Sequence, residues 1–123
     1  MSSGALVERT DFVSVFTQDI ARAREFYAGT LGLEIESEGD SDLELRCGQV
    51  TLDVFDPSSI GRQFAVSPAG LALRVRDVDA VRTELEAKGV EFDGETIQTD
   101  VCRMAFFTDP DGNALLLHRR FDA

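Results

Sequence analysis

The chain has 123 residues, 43% of them hydrophobic and 28% charged, which is the composition of one ordinary globular domain. Twelve Lys and Arg against 23 Asp and Glu give a formal net charge of −11, which disfavours nucleic acid and anionic membranes as partners. Neither a membrane-length apolar stretch nor a signal-peptide pattern is present, so we expect a cytoplasmic protein. The two cysteines, Cys47 and Cys102, form no CxxC motif and predict neither a disulfide framework nor a zinc knuckle.

The first half of the chain predicts one helix and four strands. After a loose lead-in that contains Ser2 and Ser3, residues 12–16 are rich in β-branched and aromatic side chains, as in a strand. Asp19 is then placed to cap a helix over residues 20–30, in which apolar residues recur at helical spacing. Alternating apolar and polar residues predict three further strands, with turns at Gly39-Asp40 and Cys47-Gly48. These strands cover residues 33–36, 43–45 and 50–54.

The second half repeats this pattern after a stretch of turn-forming residues. A strand over 71–75 precedes Asp77, which is placed to cap a second helix ending at Gly89. The remaining strands are predicted at 90–92, 104–107 and 114–118. A turn-rich stretch precedes the second of these, and a hairpin turn at 109–113 joins the last two.

A shift of 58 residues aligns the two halves and places Asp19 on Asp77. Because strand, cap and helix recur in the same order, we predict an α+β fold of two tandem βαβββ modules. The modules cover residues 11–56 and 70–120. A linker over 57–69 joins them within a single domain over 1–123.

Two segments resemble the vicinal oxygen chelate superfamily of glyoxalases, bleomycin-resistance proteins and extradiol dioxygenases. The segment FVSVFTQDIARAREFYAGTLGLEI is similar to the first strand and helix of that family, and FFTDPDGNALLLH to its closing hairpin. The resemblance extends over residues 11–120. It implies a cup-shaped mixed sheet with helices outside, ligands bound within the cup, and a homodimer.

Metal-dependent members of the family carry one ligand on each of four strands. The resemblance places these ligand positions on Phe12, Asp53, Gly70 and Leu116. Three of them offer no side-chain lone pair, so we predict that the family metal site is lost and that no cofactor is bound. His118 is the single histidine and shares a strand face with Leu116. A displaced metal site built from Asp53, His118 and another carboxylate is an open alternative.

Strand alternation predicts which residues line the inside of the cup. The predicted ligand-binding residues are Phe12, Ser14, Phe16, Asp53, Phe55, Arg74, Leu116 and His118. The phenylalanines would stack on a planar ligand, and a carboxylate on an apolar floor has a raised pKa that suits a general acid or base. In the structural alternative the phenylalanines fill the space of the lost metal, Asp53 pairs with Arg74, and His118 lies at the rim.

Three functions follow from these predictions. The first is a metal-free protein that binds a small aromatic or cationic molecule in its cup, similar to bleomycin-resistance proteins. The second is a metal-independent isomerase or lyase with Asp53 and His118 as candidate catalytic residues. The third is a non-catalytic interaction module whose cup is filled by its own side chains.

Overall fold

The computed structural model describes Gly4 and residues 6–121, and the lead-in prediction for Ser2 and Ser3 lies outside this part. Eight strands form two four-stranded sheets of identical topology. The first sheet has the order β1-β4-β3-β2, with β1 (Phe12–Phe16), β2 (Glu34–Glu38), β3 (Asp42–Cys47) and β4 (Val50–Phe55). The second has the order β5-β8-β7-β6, with β5 (Leu71–Arg74), β6 (Phe92–Gln98), β7 (Cys102–Thr108) and β8 (Ala114–Arg120). The predicted α+β fold of two βαβββ modules is confirmed.

Each module has one helix that begins at the predicted aspartate. In the first module, α1 (Ile20–Arg24) continues directly into a π-helical segment (Glu25–Thr30). The side chain of Asp19 accepts a hydrogen bond from the backbone N–H of Arg22 at 3.0 Å. In the second module, Asp77 caps α2 (Val78–Ala87) in the same way. No helix in the described part of the chain is long and apolar enough to cross a membrane.

The sequence analysis predicted a strand at 90–92, and these bounds were wrong. The observed β6 begins at Phe92 and continues to Gln98, through residues predicted to form turns. Gly94 has a positive φ of 74°, and the pairing with β7 shifts register between Asp93 and Ile97. A β-bulge breaks the alternation of apolar and polar residues and thereby hides the strand in the sequence.

One hydrophobic cluster spans both modules. It joins the helices to the sheet faces that carry Val15, Val54, Leu115 and Leu117, each at most 5% exposed. We call the opposite face of each sheet its inner face. Because side chains alternate along a strand, the predicted ligand-binding residues lie on the two inner faces.

Hydrogen bonds from the β7–β8 turn tie the second module to the first. The Tyr27 hydroxyl donates to Asp109 Oδ2 at 2.6 Å, and Asn113 Nδ2 donates to the Phe16 carbonyl at 2.8 Å. Tyr27, Asp109 and Asn113 are all buried. Burial, reinforced by the hydrogen bond to Asp109, raises the pKa of Tyr27. The hairpin turn is therefore a structural connection between the modules.

Candidate functional site

The inner face of the first sheet brings five of the predicted residues together. Parallel pairing of β1 with β4 places Ser14 beside Asp53 and Phe16 beside Phe55. The two phenylalanine rings meet edge to face, with centroids 5.1 Å apart and planes at 78°. Phe12 lies on the same face of β1, two residues before Ser14, and is 46% exposed. This face therefore presents accessible aromatic surface beside a carboxylate.

The inner face of the second sheet carries the other three predicted residues. Arg74 on β5 is the register partner of His118 on β8, and Leu116 lies two residues before His118. Arg74 is exposed, His118 half-buried and Leu116 buried. A Cβ added at Gly70 would lie 3.4 Å from Leu116 Cδ2, so the third and fourth family ligand positions are neighbours here.

One gap between the modules is lined mainly by residues that do not belong to these inner faces. A cavity of about 390 Å³ lies between Leu31 and Leu33 of the first module and Leu73 and Val81 of the second. Of the eight predicted ligand-binding residues, Arg74 alone lines it. In the single chain the inner faces combine exposed residues, Phe12 and Arg74, with buried ones, Asp53 and Leu116.

Asp53 lies in a group of carboxylates that the sequence analysis missed. Asp42 and Glu44 on β3 share its face, and one carboxylate oxygen from each of the three lies within 4.8 Å of the others. Asp53 is 9% exposed, and its Oδ1 accepts no hydrogen bond from the described residues. Burial, followed by repulsion from Asp42 and Glu44, raises the pKa of Asp53 to about 6. We call these three residues the acidic cluster.

The one basic residue of β3, Arg46, is engaged elsewhere. The Arg46 guanidinium contacts Glu34 at 3.0 Å and Glu36 at 3.1 Å, both on β2. Within the described residues, no salt bridge involves a member of the acidic cluster. Among the described side chains, no ion pair therefore offsets the negative charge of the cluster.

The residues at the family ligand positions do not fit the family metal. Phe12, Gly70 and Leu116 have no donor atom in their side chains, which leaves Asp53 as a single ligand. The structure also differs from the displaced site considered above. In the described part of the chain, the metal-ligating side chains that gather around Asp53 are Asp42 and Glu44, and His118 is not among them.

Two βαβββ modules, each a four-stranded sheet with one helical segment, define the class of fold, and sequence comparison identifies the family. The chain belongs to the Glyoxalase/Bleomycin resistance protein/Dioxygenase superfamily, whose sequence model matches residues 9–117.

Individual relatives cover nearly the whole chain. YetH of Bacillus subtilis (strain 168), an uncharacterized protein, is 24% identical over 118 residues, which are 91% of this chain and 98% of YetH. TnmS3, an antibiotic-binding protein from Streptomyces sp. CB03234, is 30% identical with a TM-score of 0.77, covering 94% of this chain and 98% of its own. Lactoylglutathione lyase from Agrobacterium tumefaciens has a TM-score of 0.78 at 21% identity, covering 93% of this chain and 95% of its own. This last likeness concerns the fold alone.

Proposed function

We propose that this protein binds a small aromatic or cationic organic molecule on its inner faces, without the family metal site. The observation that carries the proposal is the first inner face. Its accessible phenylalanines, Phe12, Phe16 and Phe55, lie beside the buried carboxylate of Asp53. Aromatic surface with a few polar groups is the usual lining of a small-molecule site. The similarity to TnmS3, an antibiotic-binding protein, supports the same assignment.

We further propose that the working form is a cytoplasmic homodimer of single-domain chains. The predicted site residues divide between two sheets, and both inner faces have exposed members, Phe12 and Arg74. A second copy that covers these faces would turn two open surfaces into a closed cup. Two unpaired thiols, Cys47 and Cys102, fit a reducing compartment. Light scattering coupled to size-exclusion chromatography is expected to give twice the 13.5 kDa chain mass.

Fluorescence titration with proflavine, a planar aromatic cation, tests the binding proposal. Removing one stacking ring costs about 1.4 kcal/mol, so Phe55→Ala should weaken binding about tenfold. Phe121→Ala is the matched control, because Phe121 is a half-exposed phenylalanine beyond the end of β8. Equal affinity in wild type and Phe55→Ala would contradict the proposal. So would the absence of binding both to proflavine and to a panel of neutral planar aromatics.

One observation favours a second function, a metal-independent isomerase or lyase. A carboxylate with a pKa of about 6 is suited to proton transfer near neutral pH. In that case Asp53→Asn abolishes turnover while the fold is retained, and His118 acts as the second acid or base. Retained turnover in Asp53→Asn would remove Asp53 from the mechanism. The third function, a non-catalytic module with a filled cup, has less support, because Phe12 on the first inner face is 46% exposed in the single chain.

A further inference from the structure

We propose that Asp42, Glu44 and Asp53 form a binding site for a hard divalent cation, of the Mg²⁺, Mn²⁺ or Ca²⁺ class, on the inner face of the first sheet. Of its three ligands, only Asp53 occupies a position where the family places a metal ligand. The proposal goes beyond the proposed function, because cation binding here requires no organic ligand.

The register of two neighbouring strands brings the three carboxylates together. Antiparallel pairing of β3 with β4 places Glu44 directly opposite Asp53 and Asp42 opposite Phe55. Their neighbours along the two strands are Leu43, Leu45, Leu52 and Val54, each at most 1% exposed in the core. Because strand residues alternate between faces, burial of these apolar neighbours fixes all three carboxylates on the inner face.

The spacing of the oxygens matches the size of one ion. The three oxygens lie within 4.8 Å of one another. Two oxygens bound to the same Ca²⁺ at about 2.4 Å are separated by at most about 4.8 Å. A single ion can therefore contact all three carboxylates after small side-chain adjustments.

Asp53 Oδ1 is a separate indication of a missing ligand. It is the one buried side-chain nitrogen or oxygen in the described part of the chain that has no hydrogen-bond partner. Asp53 as a whole is 9% exposed, so bulk water gives it little compensation. A buried charged oxygen without a partner carries an uncompensated desolvation cost. A cation at this position would remove that cost.

The surrounding charges favour a metal ion over an internal partner. Glu44 and Asp53 are like charges directly opposite on paired strands, an arrangement that destabilises a sheet. The Arg46 guanidinium is committed to Glu34 and Glu36. All three donors are carboxylate oxygens, which suit Mg²⁺, Mn²⁺ and Ca²⁺ better than ions that prefer nitrogen or sulfur.

Calorimetric titration of metal-free protein with MnCl₂, MgCl₂ and CaCl₂ tests this proposal. We expect at least one ion to bind with one site per chain and a Kd of about 0.1–1 mM, typical of a shallow carboxylate site. Asp53→Asn and Glu44→Gln should each weaken binding at least ~10-fold, because each removes a charged ligand. Glu95→Gln, an exposed carboxylate on β6, removes the same charge elsewhere and should change the Kd less than ~2-fold.

Nuclear magnetic resonance locates the ion independently of affinity. Substoichiometric Mn²⁺ should broaden the amide signals of Leu43, Leu45 and Val54, which flank the cluster, in wild type but not in Asp53→Asn. Broadening centred elsewhere would overturn the proposal. It would equally be overturned by no binding up to ~10 mM of any of the three ions, or by equal affinity in wild type and both cluster variants.

Discussion

Replacing Asp53 by Asn should stabilise the protein at neutral pH and leave its stability unchanged near pH 4. The carboxylate is 9% exposed, lies beside two like charges, and has no hydrogen-bond partner at Oδ1 among the described residues. Burial and this repulsion raise its pKa from 3.8 to about 6. An amide of the same shape carries no charge, so it escapes both penalties at any pH.

The sign of the effect follows from proton linkage. Between about pH 4 and pH 6 the folded state holds a proton on Asp53 that the unfolded state has released. Binding of this proton stabilises the folded state fully below the pKa of Asp53 in the unfolded chain, 3.8. The stabilisation is lost as the pH rises through the pKa of Asp53 in the folded state, about 6. At ~1.4 kcal/mol per pH unit, the shift corresponds to at most about 3 kcal/mol. Because Asp42 and Glu44 are partly exposed and screened by solvent, we expect about 2 kcal/mol.

Urea unfolding of wild type and Asp53→Asn between pH 4 and pH 7.5, with EDTA to exclude divalent cations, measures this difference. The free energy of unfolding of the variant should exceed that of wild type by about 2 kcal/mol at pH 7.5, and the gap should close near pH 4. Glu95→Gln serves as the control and should show a small difference that does not vary with pH in this way. A constant gap between wild type and Asp53→Asn across the range would refute the reasoning.

Two further predictions concern the connection between the modules. Tyr27→Phe removes the 2.6 Å hydrogen bond to the buried Asp109 carboxylate and should lower the free energy of unfolding by about 2 kcal/mol, as measured by urea titration. A loss below ~0.5 kcal/mol would contradict the importance of this contact. Gly112→Ala should lower the melting temperature, because Gly112 has a φ of 93° and the added Cβ would lie 3.4 Å from Val66 Cγ1. Gly29→Ala is the comparison variant, because Gly29 is helical and an added Cβ would have its nearest neighbour at 3.9 Å. This substitution should leave the melting temperature unchanged or raise it. An equal fall in melting temperature in both variants would contradict the role of the positive φ.

Local patterns carry enough information to predict most of the fold. The aspartate caps, the helical spacing and the strand alternation depend on interactions within a few residues, and Asp19 and Asp77 cap their helices as expected. The repeat of these patterns at a fixed shift was sufficient to predict two equivalent modules. The prediction of β6 was wrong because the bulge near Gly94 interrupts the alternation on which it relied.

Local sequence patterns were not sufficient to predict the acidic cluster. A turn at Cys47-Gly48, as predicted, would have placed Glu44 opposite Thr51. The observed turn at Gly48 and Gln49 moves the pairing, so that Glu44 lies opposite Asp53. Alternation alone determines the face of each side chain, but the neighbour across the strand depends on where the turn falls.

The sequence by itself therefore determined the order of the elements, the two modules and the face on which most strand residues lie, but not the extent of β6 or the turn between β3 and β4. Only the tertiary structure decided that Asp53 is buried beside Asp42 and Glu44, with no partner for its Oδ1 in the part of the chain that the structure describes. It also decided that Tyr27 and Asp109, 82 residues apart, share a hydrogen bond. The physical reason is that local propensities act over a few residues, whereas strand register and module packing bring together distant groups whose burial and charge then set their chemistry.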